Sequence, residues 1–476
     1  MRKKRYLSGN TKGVVRRAVS FVEIIAVALL YFAVFRNGYE NAGLYPLLGR
    51  GKYVLMGLYA LISGLFIMNM DGFQFGNLRR FDLAMAQWIG LFATNFITYF
   101  QLCLIANKMI SMLPMLVLMA MDIVLVVLFV FVYAALFRRL FKPHDMLLVF
   151  GSNNAITLKL KMDTRRDKYR INKLISVEKG FEAICEEILK HEAVIINDVP
   201  AQIRNDLVKF CYTHNVRTYV VPKITDIILR GGENITTFDT PLLLTHGFGP
   251  TITQRIIKRA MDIAICMVAM VVVAPIMIVV AIAIKLEDGG PVFYKQKRMT
   301  TGGREFDILK FRSMIVDAEK YAGAVLASQD DPRITKVGKV IRATRLDEIP
   351  QILNILKGDM SIVGPRPERK VIAEEYYRDI PEFAYRLKVP SGLTGYAQIY
   401  GKYNTTAYDK LRFDLMYIEN YSLLLDIKLI LMTLRIIFSK ESTEGVTAQE
   451  EKEERLKAVL EEVQQTDREE QTTVEV

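Results

Sequence analysis

The sequence has few cysteines and lacks the spacings of a disulfide or zinc framework. Its 476 residues contain four cysteines, and none of them forms a CxxC pair. Two of the four lie in apolar runs, so we expect all of them to be reduced and structural. This pattern excludes a small disulfide-stapled fold and does not indicate a zinc site. The four are Cys103, Cys185, Cys211 and Cys266.

The sequence also lacks any nucleic-acid-binding motif, although its net charge is +12. The segment from Glu441 onward carries twelve acidic and four basic residues, so the preceding part is more basic than the total suggests. Hydrophobic residues make up 51% of the chain. A basic, apolar chain suits the anionic cytoplasmic leaflet of a membrane, and we expect membrane lipid rather than nucleic acid as a partner.

Long apolar runs are abundant in the first third of the chain. Each is about 18 residues or longer, enough to cross a hydrocarbon core of ~30 Å. A cleavable signal peptide is the alternative for the first run, but no small-residue cleavage site follows it. Lysines and arginines flank the first and last runs, so both ends are expected on the cytoplasmic side. A four-helix transmembrane bundle is therefore predicted for residues 1–144, with runs at 18–35, 53–70, 83–106 and 112–137.

Residues 145–237 have the alternating pattern of a small α/β domain. Short apolar runs near 146, 169, 192 and 217 alternate with helical stretches, which predicts a parallel, Rossmann-like sheet. The first strand ends at Gly151, but GSNNA lacks the second and third glycines of GxGxxG. We therefore expect a degenerate Rossmann-like domain with a structural or regulatory role, followed by a linker at 238–257.

A fifth apolar run, 260–284, is expected to enter the membrane without crossing it. Basic residues stand on both sides, including Lys258 and Arg259 before the run and Lys285 after it. Both flanks therefore favour the cytoplasm. Pro275 removes a helix hydrogen bond in the middle of the run and should break or bend the helix there. The alternative is a crossing helix that tolerates the proline, which would put all downstream residues outside the cell.

The end of the chain is predicted to lie on the membrane surface and then in solvent. The run at 421–438 is apolar but carries three charged residues, which favours a helix lying on the membrane over a crossing helix. Residues 441–476 form an acidic tail to which we assign no chemistry.

The stretch TRLDEIPQ (344–351) contains two adjacent carboxylates, Asp347 and Glu348, in a basic neighbourhood. Adjacent helical residues point roughly 100° apart, yet both side chains can converge on one ligand near a helix end. An ionised aspartate can act as a nucleophile toward phosphorus, and Arg342 and Arg345 should favour its charged form. Two such acids also suit Mg²⁺, which binds carboxylate and phosphate oxygens together. For an isolated pair, a solvent-exposed charged turn is the alternative.

Basic residues surround this acidic pair (Asp347 and Glu348) in the sequence. GDMSIVGPRPE (358–368) places Arg366 between two prolines, Pro365 and Pro367, and a fixed guanidinium suits phosphate oxygens. A polyphosphate ligand with a bound metal would explain why so many basic residues surround the two acids. For any single one of these basic residues, binding to lipid headgroups is the alternative. The other candidate substrate-binding cations are Lys310, Arg312, Arg333, Arg342 and Arg345.

The run from Lys258 to about Lys440 resembles the bacterial sugar transferases, the monotopic phosphoglycosyl transferases that use a polyprenol phosphate acceptor. With the four apolar runs and the α/β pattern, it is similar to the large subgroup that initiates exopolysaccharide, capsule or O-antigen repeat units. One departure is Ala274-Pro275, where the family often has Ser-Pro. Seven motifs match in order: KRAMD, GPVFYKQKR, KFRSM, DPRITKVGKVIR, LDEIPQ, GDMSIVGPRP and SGLTGYAQIYG.

The resemblance implies a two-step reaction in an α-rich catalytic domain at 258–440. Asp347 would attack the β-phosphate of a UDP-sugar, most simply a hexose, release UMP and carry the sugar phosphate. Undecaprenyl phosphate would then accept it, with Glu348 acting as Mg²⁺ ligand or as base. The segment Pro365–Pro367 matches the family's nucleotide-binding stretch.

The resemblance also implies a cellular setting. The enzyme would be a multi-pass protein of the bacterial inner membrane, with its catalytic domain on the cytoplasmic face. Downstream glycosyltransferases would extend its product, and a homodimer is left open.

Two other functions remain as alternatives. A membrane-bound nucleotide-sugar epimerase or dehydratase needs a glycine-rich loop and a Tyr-x-x-x-Lys pair on a helix. Tyr219 and Lys223 have this spacing but lie on a predicted strand, so we interpret the match as coincidence. The second alternative is a non-catalytic scaffold of a polysaccharide assembly complex, against which the intact acidic pair argues.

Overall fold

The computed structural model describes residues 11–39, 49–76, 78–151, 154–237, 239–245, 247, 249–316, 331–401 and 405–437. The chain divides into two compact units, the first ending at Val221 and the second beginning at Pro222. This boundary falls inside the predicted α/β domain, and the domain limits derived from the sequence stay predictions. The acidic tail at 441–476 lies outside the described residues.

The first unit begins with four long apolar helices, each long and apolar enough to cross a membrane. Helix α1 packs against α2 and α4, and α3 packs against the same two helices. Large apolar side chains such as Leu61, Val124 and Phe131 remain exposed, as expected of a surface that faces lipid. The helices are α1 (Lys12–Gly38), α2 (Gly51–Asn69), α3 (Arg80–Ala106) and α4 (Leu113–Leu140).

A four-stranded sheet follows, in the order β2-β1-β3-β4 with every pair parallel. Strands β1 and β3 are central, and the side chains of β1 alternate between two hydrophobic cores, one on each face. The predicted alternation of strands and helices and the parallel pairing are confirmed. The elements are β1 (His144–Phe150), α5 (Asn154–Asp163), β2 (Tyr169–Ser176), α6 (Phe181–Ile188), β3 (Ala193–Asn197), α7 (Ala201–Thr213) and β4 (Arg217–Val220).

The second unit is built along one 37-residue helix, α9 (Ile252–Asp288). It is preceded by α8 (Ile224–Arg230) and by the antiparallel hairpin of β5 (Glu233–Thr237) and β6 (Thr240–Leu244). Two further strand pairs are β7 with β8, antiparallel, and β9 with β10, parallel. The remaining elements in order are β7 (Phe293–Met299), β8 (Glu305–Phe311), α10 (Lys336–Ala343), α11 (Gln351–Lys357), β9 (Ser361–Val363), α12 (Lys370–Asp379), β10 (Gly392–Thr394), α13 (Tyr396–Tyr400), α14 (Ala407–Glu419) and α15 (Leu423–Ile437).

The start of α9 is hydrogen-bonded to the end of α11 and to β9, the two elements joined by the loop that follows α11. The guanidinium of Arg259 donates to the carbonyl of Leu356 at 2.7 Å, at the C-terminal end of α11 where helix carbonyls lack partners. Asp262 is buried and accepts from Ser361 Oγ at 2.7 Å and from the N–H of Ile362 at 3.2 Å. These contacts fix the positions of α11 and β9 relative to the helix.

The end of α9 contacts a different part of the same unit. Glu287 accepts from the backbone N–H of Lys336 at 2.7 Å, so a carboxylate stabilises the N-terminus of α10. The next residue, Asp288, forms an ion pair with Arg312, just beyond β8. Both ends of α9 therefore pack on one folded domain.

The middle of α9 is apolar and exposed. Val268, Val271 and Val272 are 72%, 78% and 67% exposed, respectively. Pro275 does not end the helix, because α9 continues as a single helix through the proline, and a bend at this position stays a prediction. One proline removes only one backbone donor, and a long helix can tolerate that loss inside an apolar segment. Entry into the membrane without crossing stays a prediction.

Candidate active site

The acidic pair lies on a short 3₁₀ turn, Leu346–Glu348, between α10 and α11. Arg345 precedes it with φ 56° and ψ 19°, a left-handed conformation that few non-glycine residues adopt. The N–H of Arg345 donates to the carbonyl of Arg342 at 3.2 Å, and its own carbonyl accepts from the N–H of Glu348 at 3.3 Å. This tight reversal ends α10 and places both carboxylates directly before α11, near a helix end as expected.

Glu348 binds two cations from distant parts of the chain. Its Oε1 accepts from Lys310 Nζ at 2.8 Å and from the guanidinium of Arg366 at 3.0 Å. Lys310 comes from β8, and Arg366 comes from the extended segment after β9. Burial alone would raise the pKa of Glu348, but Arg366 and Lys310 outweigh burial and hold that pKa well below its usual range.

Asp347 has the opposite shift. Burial raises the pKa of the Asp347 carboxyl, and the negative charge of Glu348 raises it further, although Lys310 and Arg342 oppose both effects. Arg342 favours the charged form, as expected from the sequence, but the loss of hydration on burial outweighs it and the net shift of the Asp347 pKa is upward. Adjacent carboxyls with separated pKa values are suited to different roles in one reaction.

The Pro365–Pro367 segment is fixed by its backbone. Three consecutive carbonyls accept hydrogen bonds from three different parts of the unit, at 2.9, 2.9 and 3.1 Å. The acceptors are Pro365, Arg366 and Pro367, and the donors are the N–H of Gly392 and the guanidinium groups of Arg386 and Arg298, respectively. The Arg366 side chain therefore extends from a rigid backbone toward Glu348.

The remaining predicted cations differ in their surroundings. Arg312 is buried and pairs with Asp288. Arg333 pairs with Asp331 at 2.6 Å and lowers the pKa of that carboxyl to about 2. Arg342, in the last turn of α10, acts on Asp347 through its charge. Substrate binding by these three residues and by Arg345 stays a prediction.

The acidic pair, Asp347 and Glu348, is the candidate metal site. The described residues contain no group of three or more histidine, cysteine, aspartate or glutamate side chains placed to hold a metal. Asp347 and Glu348 supply two carboxylates, and Mg²⁺ is commonly held by one or two carboxylates together with phosphate oxygens and water. The acidic pair therefore fits a Mg²⁺ ion, to which Asp347 and Glu348 would supply two carboxylates.

A small cavity adjoins Arg366. Pro365, Arg366, Tyr377, Phe383 and Arg386 are among the residues that line it. Sequence reasoning did not single out Arg386 or Arg298 as supports of this segment. Arg298 does lie in the matched motif GPVFYKQKR, which was the available signal.

Comparison with known proteins finds related sequences over the second unit. Residues 253–440 match the family model of the bacterial sugar transferase. The UDP-glucose:undecaprenyl-phosphate glucose-1-phosphate transferase of Caulobacter vibrioides is 36% identical over 198 residues, covering 40% of this chain and 74% of the relative. The chain belongs to the bacterial sugar transferase family. All seven motifs fall within the matched residues, so the predicted resemblance is confirmed.

Two longer members of the family match over a similar region. The UDP-N-acetylgalactosamine-undecaprenyl-phosphate N-acetylgalactosaminephosphotransferase of Aeromonas hydrophila is 44% identical over 193 residues, 40% of this chain and 45% of the relative. The UDP-glucose:undecaprenyl-phosphate glucose-1-phosphate transferase of Escherichia coli K12 is 38% identical over 211 residues, 43% of this chain and 44% of the relative. The chain thus matches less than half the length of these two relatives.

Proposed function

We propose that this protein transfers a sugar phosphate from a UDP-sugar to undecaprenyl phosphate and releases UMP. The observation that carries the proposal is the convergence of Lys310 and Arg366 on Glu348, beside a second carboxyl, Asp347. The names of relatives support the acceptor and the donor class, because they specify undecaprenyl phosphate with UDP-glucose or UDP-N-acetylgalactosamine. We infer a hexose or a hexose derivative as the sugar.

In the first step, a carboxylate oxygen of Asp347 attacks the β-phosphorus of the UDP-sugar. A new O–P bond forms to Asp347, and the bond from the β-phosphorus to the bridging oxygen of the diphosphate breaks. That oxygen leaves on UMP with the bonding electrons, and the sugar phosphate remains on Asp347 as an acyl phosphate. Arg366 and Lys310, which both contact Glu348, would balance the negative charge that develops on the diphosphate.

In the second step, a phosphate oxygen of undecaprenyl phosphate attacks the same phosphorus. The O–P bond to Asp347 breaks, the carboxylate is regenerated, and undecaprenyl diphosphate sugar is formed. Glu348 remains ionised because Arg366 and Lys310 lower its pKa, so it can hold these cations in place throughout. When Mg²⁺ is bound by Asp347 and Glu348, it supplies additional positive charge for the diphosphate oxygens.

The proposed setting is the inner membrane of a bacterium, with the catalytic domain at the cytoplasmic face. Helices α1–α4 would form a membrane-spanning bundle, and the parallel sheet a degenerate Rossmann-like module. We infer that α9 enters the membrane from the cytoplasm and returns, because both of its ends contact one domain while its apolar middle is exposed. The product would feed downstream glycosyltransferases of a polysaccharide pathway.

The experiment that tests the proposal uses the full-length protein purified in detergent. We expect UMP release from one member of a panel of UDP-sugars when Mg²⁺ and undecaprenyl phosphate are present. With sugar-labelled donor and no acceptor, about one equivalent of label per site should attach to the enzyme, as a covalent route requires. Asp347→Asn should remain folded and bring both signals to background, because an amide is not an anionic nucleophile.

Two outcomes contradict the proposal at different points. No UMP from any UDP-sugar would reject the transferase function. UMP release that occurs only with acceptor, and never with trapped label, would favour direct displacement in a ternary complex and remove the nucleophile role from Asp347.

A further inference from the structure

Arg386 and Asp414 form a buried ion pair behind the Pro365–Pro367 segment. Arg386 belongs to the 3₁₀ segment Pro381–Lys388, and Asp414 belongs to α14. Their side chains are 5% and 1% exposed, and a terminal guanidinium nitrogen of Arg386 lies 2.8 Å from Asp414 Oδ2. Burial raises the pKa of Asp414 to about 6 even though Arg386 opposes the shift.

The same guanidinium nitrogen also contacts the segment that carries Arg366. It donates a hydrogen bond to the backbone carbonyl of Arg366 at 2.9 Å, whereas its contact with Asp414 Oδ2 is an ion pair without hydrogen-bond geometry. The guanidinium carbon lies 4.7 Å from the ring centroid of Phe383, and the other terminal nitrogen lies 3.7 Å from Glu368 Oε1. These contacts on several sides fix the orientation of the Arg386 guanidinium.

A buried ion pair is a poor source of stability, because removing two charges from water costs about as much as their attraction returns. Apolar residues could fill the same space. Apolar residues, however, cannot donate a hydrogen bond to the Arg366 carbonyl, and they cannot form an ion pair with a residue of α14. The contacts thus indicate a role in placing the Arg366 backbone rather than in stabilising the core.

We propose that Arg386, fixed by Asp414, is a positioning residue that sets the affinity for the donor nucleotide through Arg366. It does not touch the donor. Instead it holds the Arg366 carbonyl so that the guanidinium reaches Glu348 and the diphosphate. This inference rests on the proposed function and adds to it a residue outside the site that controls donor binding.

The test replaces the pair in the full-length enzyme with apolar residues, as Arg386→Met together with Asp414→Leu. Arg386 and Asp414 are replaced together, so neither is left as an unpaired buried charge. We expect the KM for the UDP-sugar to rise by about tenfold, the scale of one lost hydrogen bond, with a smaller change in kcat. Arg386→Lys, which keeps a cation and donors, should recover part of the loss.

The same change is then made in an Arg366→Ala background, as a double-mutant cycle. If Arg386 acts through Arg366, replacing Arg386 and Asp414 should matter little once Arg366 is absent. In the Arg366→Ala background, the replacement should therefore lower kcat/KM by less than about threefold. The control replaces an arginine–aspartate pair within α14, as Arg412→Met with Asp409→Leu; Arg412 and Asp409 pair at 2.9 Å. This control should leave the KM for the donor unchanged.

Equal losses in the two backgrounds would overturn the inference, since they would show that the pair acts independently of Arg366. An unchanged donor KM in the original background would overturn it as well. A wild-type enzyme that releases no UMP would instead reject the proposed function. If the apolar pair does not fold in a thermal melt, Arg386→Lys takes its place in the cycle, and the same two outcomes decide.

Discussion

Asp347 and Glu348 are neighbours in the chain, yet their environments separate their pKa values. Glu348 accepts from two cations and has a lowered pKa, whereas burial and the adjacent negative charge raise the pKa of Asp347. Under the proposed mechanism, Glu348 keeps its charge and organises the cations while Asp347 is the reacting group. A partly desolvated carboxylate is also a better nucleophile than a fully hydrated one, because fewer water contacts must be lost in the attack.

This separation predicts the pH dependence of donor turnover. Asp347 reacts as a carboxylate, so kcat/KM should fall as the pH falls through its folded pKa, which lies above the usual value of about 3.9. Lys310 lowers this pKa, so Lys310→Met should raise it further and move the acid limb of the profile to higher pH. The initial rate of UMP release, measured across a pH series, gives the pH at which kcat/KM falls to half its maximum, and this midpoint does not depend on the maximal rate.

The control for this experiment is Lys339→Met, which removes an exposed lysine from α10. The acid limb of this variant should coincide with that of the wild type. An acid limb that moves to lower pH in Lys310→Met, or does not move, would show that Asp347 is not the group that controls the profile.

At the scale of elements, α9 is both an apolar helix and the support of the catalytic centre. Its first turns bind the end of α11 and the start of β9, and its last turn binds the N-terminus of α10. The 3₁₀ turn that carries the acidic pair lies between α10 and α11, so α9 determines the positions of the elements on both sides of it. Changes inside α9 should therefore affect the catalytic centre.

Asp262 tests this dependence. In Asp262→Ala, the hydroxyl of Ser361 and the N–H of Ile362 lose their acceptor in a buried place. We expect a loss of roughly 2–4 kcal/mol in folding free energy, because each buried unsatisfied donor costs about 1–3 kcal/mol. A thermal melt in detergent should show a clearly lower midpoint, whereas Glu375→Ala, at an exposed carboxylate of α12, should not. Equal midpoints for the two variants would contradict the role given to Asp262.

At the scale of the whole molecule, the proposed topology puts both ends of α9 in the cytoplasm. Cysteines introduced as Ile256→Cys and Pro291→Cys, at two exposed positions, report on the two sides of the helix. Gly290 is avoided because a side chain there would collide with Arg312. Neither position should react with an impermeant thiol reagent added to intact cells, and both should react after permeabilisation.

The four native cysteines are buried, so they contribute little to this signal. Strong labelling of position 291 alone in intact cells would mean that α9 crosses the membrane. Asp347 would then be separated from cytosolic UDP-sugars, and the proposed mechanism could not operate.

Much of the architecture follows from local sequence patterns. Apolar runs long enough to cross a membrane determined α1–α4 and α9, and short apolar runs between helical stretches determined the parallel sheet. Seven ordered motifs determined the family and located the acidic pair before any contact was known. These features are local or collinear with the chain, which is why a sequence can specify them.

The tertiary structure decided which of the predicted cations meet the acidic pair. Lys310 and Arg366, 38 and 18 residues from Glu348 in the chain, contact it, while Arg312 and Arg333 pair with other carboxylates. It also decided the direction of the Asp347 pKa shift, because burial depends on residues distant in sequence. Arg386 gave no sign of its role in the sequence, since a hydrogen bond to one backbone carbonyl depends on how separate segments pack and not on residue type.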